Sequence, residues 1–432
     1  MDLKYQIEDK LAWKESLLYG LQWLAISLPA VVTIGKVLGG TGSSAVEVLY
    51  LQKLLAVTGA ILVIQIIWGH RLPIVIGPAT VLLIGILASA GSSSAAIYTS
   101  LAVGGLLLAL LAVTGLFGRL QSLFTPRVVA VILLLVAFTL TPTILNLLTA
   151  GQEPSPTRRL AFALVFMLLM FVGGHYIKGF FKNILILVAM VLGSLAYFLV
   201  DPGWASVASP GEVSMVSGFW TGLNISPSLQ PGLLVAFLLC FLGLSINDLG
   251  SIQAVGLFLK ADKMSRRITR GVTVTGMGNM LAGFMGVIGP VNFSFSPGVI
   301  AATGCASRWS LLPTGVMMLV LAFLPRAISC LSFIPAVVIG CVLFYTMCTQ
   351  VAAGLITAFD ALNELGEPLF DNALLISLPI LMGVIVAFLP QTVTAGFPDS
   401  LRPILSNGFV VGVASSLLLE HTIGRQPRKQ SD

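Results

Sequence analysis

One carboxylate stands where carboxylates are costly. Asp248 lies inside the apolar run from Gly232 to Leu259, whereas the other sixteen of the seventeen acids fall in tails, in loops or at the ends of apolar stretches. Such a group at the centre of a bilayer costs at least about 2.5–3.5 kcal/mol on insertion scales, and it usually faces a bundle interior or a water-filled path. Helical spacing sets Ser245, Asp248 and Ser251 on one stripe with Asn247 beside it, which gives this segment a polar face. Two roles fit that placement: a structural hydrogen bond to a neighbouring helix, or a site that takes up and releases a proton. A second cluster follows, in which Asn292, Ser294 and Ser296 alternate with Phe293 and Phe295 just ahead of Pro297-Gly298. That alternation predicts a short extended stretch leading into a half-helix whose first amides point at a bound group. Ala79 and Thr80 occupy the corresponding place in the first half of the chain. Backbone donors, side-chain amides, hydroxyls and aromatic faces together suit a small, flat, polar heterocycle better than a bare inorganic ion.

These residues need helices to hold them. The 432 residues are 57% hydrophobic and only 9% charged, with a mean hydropathy of +1.00, against about 25% charged residues in soluble domains. A polytopic, all-α integral membrane protein is expected, since apolar runs of this length exclude the alternating strands of a β-barrel. Fourteen apolar stretches start near residues 17, 47, 73, 96, 127, 159, 183, 232, 272, 291, 311, 329, 372 and 401. Two are interrupted, the third by Pro73, Gly77 and Pro78, the tenth by Gly289, Pro290, Pro297 and Gly298. The five cysteines, Cys240, Cys305, Cys330, Cys341 and Cys348, lie in or beside apolar segments without metal spacing and are expected to be buried small hydrophobes. The net charge of +6 implies no nucleic-acid partner here, because topology explains it. With the amino terminus inside, only Lys36, Lys53, Arg158, Arg159, Arg326 and Arg402 fall outside, as the positive-inside rule expects. One cytoplasmic connection, carrying Asp360, Glu364, Glu367 and Asp371, is acidic, which bears little on orientation. His70, His175 and His421 sit at span ends, where an interfacial role is expected. Gly278 and Ala282 predict close helix packing. There is no Walker A motif, HExxH or GxSxG, so nothing supports an ATP-driven pump or a protease, and neither a cofactor, a metal nor a catalytic constellation is expected.

The two interrupted stretches are related. Val75-Ile76-Gly77-Pro78 recurs as Val287-Ile288-Gly289-Pro290, and Phe124-x-Pro126-x-Val128-Val129 recurs as Phe333-x-Pro335-x-Val337-Val338, at offsets of 212 and 209. Seven spans per repeat make the halves inverted, and paired broken helices in inverted repeats are a transporter signature.

At this point the chain resembles the nucleobase:cation symporter-2 family, the nucleobase–ascorbate transporters, along essentially its full length. Tyr19-Gly20-Leu21-Gln22 resembles that family's first-span Gly-Leu-Gln-His element, with Trp23 in the histidine position. Leu72-Pro73-x-x-x-Gly77 resembles the entry to its broken third span, and Asn247-Asp248-x-Gly250 its eighth-span Glu-His-x-Gly. Phe295-Ser296-Pro297-Gly298 with Thr303-Gly304 matches the frame of its tenth-span signature. The resemblance implies a core domain of residues 14–118 and 230–324 and a gate domain of residues 119–201 and 325–422. It implies uptake of a base coupled to H+ or Na+, often in a homodimer. The family's eighth-span and tenth-span acidic or amide ligands correspond to Asn247 and Phe295, its third-span aromatic to Thr80, and its eighth-span histidine to Asp248. The expected function is a proton-coupled symporter for a uracil-, xanthine- or urate-like compound. The expected location is the inner (plasma) membrane with both termini cytoplasmic. An organic or inorganic anion carrier on the same seven-plus-seven fold is the alternative.

Overall fold

The computed structural model describes residues 3–39, 44–89, 91–118, 123–149, 156–178, 180–201, 219–365, 369–398 and 400–424. The chain is mostly helical. Its first half runs α1 (Trp13–Gly39), α2 (Ser44–Ile67), β1 (Ile76–Pro78), α3 (Thr80–Ala88), α4 (Ser94–Val113), α5 (Pro126–Thr139), α6 (Thr141–Thr149), α7 (Pro156–Tyr176) and α8 (Leu185–Val200). Its second half runs α9 (Pro231–Phe258), α10 (Met264–Met285), β2 (Pro290–Asn292), α11 (Ser296–Thr303), α12 (Leu312–Ala322), α13 (Ala336–Leu365), α14 (Leu369–Ala387) and α15 (Gly408–Thr422). Eight helices among the described residues are long and apolar enough to cross a membrane, and Leu185–Val200, Arg308–Ala322 and Gly408–Thr422 are shorter apolar helices. Glu367 of the acidic connection and residues 119–122 at an expected domain boundary lie outside the described residues.

Local chemistry sets the helix starts. Pro126 opens α5 and Pro231 opens α9, where the missing N–H costs nothing. The side chains of Ser93, Thr125 and Asn407 accept from Ala96 N, Val128 N and Val410 N and so cap α4, α5 and α15. α4 lies along α10, α2 along α12, α5 along α13, and α14 along α15. The α4–α10 contact is close because a Cβ on Gly105 or Gly276 would fall 2.6 Å from the partner helix's backbone. Gly278, expected to mark a close helix contact, packs against Ile61 of α2, where a Cβ would fall 2.8 Å from that side chain, and against Pro290.

The all-α expectation is corrected at one place, the two-stranded antiparallel ladder of β1 and β2. Ile76 stands opposite Asn292, Gly77 opposite Val291 and Pro78 opposite Pro290. The last pair is separated by the 212 residues that relate the two motifs, so repeat counterparts meet across the ladder. Non-helical backbone at membrane depth must find partners inside the protein, and here it does. Ala79 N–H donates to Gly289 O and Phe293 N–H to Val75 O, each at 3.0 Å. Asn279 Nδ2 donates to Pro290 O, and Ile288 N–H donates to the Tyr50 hydroxyl.

Side-chain burial adds to the sequence reading at Glu47, Glu420 and Trp23 and corrects it at His70 and two cysteines. Glu47 and Glu420 are buried, and each is paired with a cation: Lys36 to Glu47 at 3.4 Å and Arg127 to Glu420 at 2.9 Å. His70 is fully buried rather than interfacial. Cys240, Cys305 and Cys341 are buried as expected, but Cys330 and Cys348 are exposed, since a small, weakly polar thiol is tolerated at a surface as well as in a core. Trp23, in the resemblance's histidine position, is buried and donates its Nε1–H to Ser310 Oγ.

Candidate functional site

The site forms where α9 crosses the ladder. Asp248 is 0% exposed, and its Oδ1 accepts three hydrogen bonds, from Asn292 N at 3.0 Å, Asn292 Nδ2 at 2.8 Å and Thr275 Oγ1 at 3.1 Å. Its Oδ2 is buried without a partner. Three acids are buried among the described residues, and Asp248 is the one without an ion pair. One turn along α9, Ser251 Oγ donates to Asn292 O at 2.9 Å. α9 therefore grips β2 from both sides of one residue. The predicted stripe of Ser245, Asp248 and Ser251 is real and buried, but Ser245 turns its hydroxyl back onto Leu242 O.

The predicted site residues separate into two groups. Asp248, Asn292, Ala79 and Ser296 are buried and occupied by one another or by the ladder. Ser296 Oγ accepts from Val75 N at 3.2 Å and donates to Phe293 O at 3.0 Å, locking the start of α11 onto β1. Asn247, Thr80, Phe293, Ser294 and Phe295 form the accessible group. Asn247 and Thr80 are half-buried, Ser294 is exposed and Phe295 is 47% exposed. The Asn247 carboxamide has no hydrogen-bond partner among the described residues. The rings of Phe293 and Phe295 lie 5.1 Å apart at 40°, and Phe293 packs across Gly77 so closely that a Cβ there would meet its Cζ at 2.4 Å. The predicted extended stretch is shorter and earlier than its alternation implied. It ends at Asn292, and Ser294 and Phe295 form the turn into α11.

Sequence reasoning missed three members of this network. His70 Nε2 lies 3.1 Å from Asn292 Oδ1, and Leu72 N–H donates to His70 Nδ1 at 2.9 Å. Gln65 Oε1 accepts from His70 N, while Gln65 Nε2 donates to Gly271 O and Thr275 Oγ1. Gln65, His70, Asn292, Asp248 and Thr275 thereby close a ring of hydrogen bonds through four segments of the chain. A signal was present: Gln65 is a polar residue inside an apolar helix, five positions before the histidine.

Two of the cavities on elements that adjoin the ladder are lined by residues of the motifs read from the sequence. One, of about 250 Å³, is lined by Ser245, Ile246, Leu249, Gly250 and Gln253 of α9 and by Phe117, Phe124 and Val129. The other, of about 550 Å³, runs along α1 past Glu15, Tyr19 and Gln22 to Ile184. The buried Gln22 Nε2 has no hydrogen-bond partner.

Broken segments that meet beside a buried polar hub, within a bundle of apolar helices, define a multi-pass membrane transporter and not an enzyme. The chain belongs to the permease family of xanthine and uracil permeases, whose profile matches residues 14–392. It is 24% identical to the xanthine permease of Bacillus subtilis (strain 168), over 91% of this chain and 89% of that one. It is also 24% identical to the uric acid permease PucK of the same organism, over 93% and 94%, and 27% identical to a putative purine permease of Clostridium perfringens, over 71% and 67%. Among solved structures it shares the fold of the transmembrane domain of the cyanobacterial bicarbonate transporter BicA, with a TM-score of 0.59 at 14% identity over 96% of this chain and 99% of that one. The murine anion transporter Slc26a9 in its inward-facing state gives the same TM-score and identity over 98% and 70%.

Proposed function

We propose that this protein is a proton-coupled symporter for a nucleobase-like compound of the uracil, xanthine or urate type, acting across the cytoplasmic membrane with both termini cytoplasmic. The observation that carries the coupling is Asp248, a buried carboxylate without a counter-cation and with one oxygen unpartnered, lodged where the broken segments meet. The base as cargo is supported by relatives named as xanthine and uric acid permeases that match about nine-tenths of the chain.

The reading includes fourteen spans in two inverted seven-span repeats. The pairing of Pro78 with its repeat counterpart Pro290 supports the inversion. It also includes a core of residues 14–118 and 230–324 and a gate of residues 119–201 and 325–422. In support, α4 packs on α10 and α2 on α12 within the first set, and α5 on α13 and α14 on α15 within the second. The substrate lies against Phe293 and Phe295, with the Asn247 carboxamide offering a donor and an acceptor to its edge, Thr80 and Ser294 offering hydroxyls, and the start of α11 offering backbone amides. The homodimer implied by the resemblance is the proposed assembly.

Purified protein in liposomes is expected to accumulate a purine or pyrimidine base when the outside is made acidic. Absence of gradient-dependent uptake for every base would sink the reading. Thermal shift supplies the discriminating screen, because only a ligand that binds the native state raises the melting temperature. Bases should stabilise, whereas stabilisation by bicarbonate, sulfate or a carboxylate alone would transfer the protein to the anion carriers.

Gly77 gives a local check on the aromatic platform. A valine there drives its side chain into the Phe293 ring, and the ring must leave. Gly77→Val should weaken base binding about tenfold or more, a loss of about 1.4 kcal/mol, with the helical content unchanged. Equal affinity for wild type and variant would remove Phe293 from the site.

A further inference from the structure

The hydrogen-bond ring fixes more than the position of Asp248, because it assigns each proton in turn. Leu72 N–H points at His70 Nδ1, which must therefore be the unprotonated ring nitrogen. Nε2 then carries the hydrogen and donates it to Asn292 Oδ1. With its oxygen so engaged, the Asn292 carboxamide turns Nδ2 toward Asp248 Oδ1 and cannot flip without setting its own amide hydrogens against the Nε2–H of His70. Asn292 N and Thr275 Oγ1 aim at the same carboxylate oxygen. All three donors fall on Oδ1 and none on Oδ2.

The backbone around His70 is held for this purpose at some cost. Arg71 adopts φ 55, a left-handed conformation that a side-chain-bearing residue rarely takes. Arg267 Nη1 clamps the turn by donating to both His70 O at 3.1 Å and Arg71 O at 2.8 Å. Gly271 of α10 packs against the imidazole, where a Cβ would meet the His70 Cβ at 3.1 Å. The titratable and charged groups bonded into this hub, among the described residues, are Asp248 from α9, His70 from the turn after α2, and Arg267 from α10 on the carbonyl of His70. Tyr50 of α2 accepts from Ile288 N ahead of β2.

We propose that His70 is the positioning residue of the coupling site: through Asn292 it reserves Asp248 Oδ1 as a pure acceptor and leaves Oδ2 as the atom that gains and loses the proton. The inference rests on the proton-coupled reading of Asp248 and adds the residue that sets its proton geometry. His70 touches neither the substrate nor the proton. It acts as a neutral imidazole of fixed tautomer, at a distance of one side-chain amide. Removing it frees the Asn292 carboxamide to rotate and deprives the ionised carboxylate of one donor, which favours the protonated form. The midpoint of the Asp248 titration then moves to higher pH.

The test is infrared difference spectroscopy of the full-length protein in liposomes, following the C=O stretch of a protonated carboxylic acid against pH and assigning it by its disappearance in Asp248→Asn. His70→Gln places an amide nitrogen near the Nε2 position and keeps the bond to Asn292. His70→Asn reaches only the Nδ1 position and loses it. The expected result is a midpoint raised by about one pH unit in His70→Asn and His70→Ala, the scale of one lost charge-assisted hydrogen bond, and restored in His70→Gln. Should His70→Ala fail to insert, the Gln and Asn pair carries the comparison alone. Identical midpoints in wild type and every His70 variant, or no titrating band lost in Asp248→Asn, would overturn the inference. A shifted band in a protein whose Asp248→Asn variant still accumulates substrate supports the role of His70 and overturns the coupling reading instead, so the two fail separately.

Discussion

Asp248→Asn is expected to bind and exchange substrate but not to accumulate it. Asparagine has the shape of aspartate, and its carbonyl oxygen can accept from Asn292 N, Asn292 Nδ2 and Thr275 Oγ1 in place of Oδ1. The grip of α9 on β2 therefore persists, and Ser251 still holds Asn292 O. What changes is charge. Oδ2 becomes an NH2 group buried where Oδ2 has no partner, a cost of about 1–3 kcal/mol, and the side chain can no longer ionise. A symporter moves its coupling proton only if the carrier group cycles between forms. Fixed in a neutral form, it can bring substrate back and forth without linking that passage to a gradient. Counterflow against labelled substrate should survive within a few-fold of wild type, and uphill uptake driven by external acid should fall to background at every pH. Asp248→Ala should fare worse, since it strands three buried donors at about 1–3 kcal/mol each. Unchanged uphill accumulation in Asp248→Asn would end the coupling role of this residue, and loss of counterflow together with accumulation would make it structural.

Much of this centre can be read from sequence because membranes make polar exceptions conspicuous. Asp248 is visible as the acid inside an apolar run, and the interrupted segments are visible through Pro73, Gly77, Pro78, Gly289 and Pro290, because prolines and glycines break a helix that lipid would otherwise enforce. The pairing of β1 with β2 is not visible, since each strand has three residues and the partners lie more than two hundred positions apart. His70 escapes the sequence pattern for a related reason. Between Trp68 and Arg71 it looks like the edge of a membrane, yet the left-handed turn at Arg71 folds it inward to a residue 222 positions away. Glu47 and Glu420 lie near helix ends, where an acid does not stand out in sequence, and their burial depends on Lys36 and Arg127 arriving from other segments. Ser296 shows the limit of pattern alone. Its place in the alternation made it a candidate ligand, whereas its hydroxyl is consumed by Val75 N and Phe293 O. Sequence marks where polar groups gather, and the chain's long-range pairing decides which of them remain open to a substrate.

Glu420→Ala should be the most destabilising single change away from the site. Arg127 stands at the start of α5 with its side chain 5% exposed, and its Nη2 meets Glu420 Oε1 of α15 at 2.9 Å. Nη1 donates to Asn372 Oδ1 of α14 at 2.7 Å, and Nη2 also to Gly424 O at 3.1 Å, while Nε is already buried without a partner. One guanidinium thus ties three helices through two neutral acceptors and one charge. Removing the charge leaves a buried cation uncompensated, for which about 3–5 kcal/mol is the usual cost. Glu420→Gln keeps an acceptor and should lose less. The paired change Arg127→Met with Glu420→Leu removes both charges and should recover most of the loss, because replacing a buried ion pair by apolar groups is often neutral or better. Thermal unfolding in detergent reads the series, and a Glu420→Ala protein as stable as wild type would show that the pair contributes nothing. The same series tests the proposed division of the chain. In the proposed division Arg127, Asn372 and Glu420 fall in the gate segments, whereas Asp248, Asn292 and the two phenylalanines fall in the core, so the folded fraction of Glu420→Ala should bind a base with wild-type affinity. Weakened binding in that fraction would mean that the gate side of the molecule shapes the site directly and that the boundary drawn between the two bodies is in the wrong place.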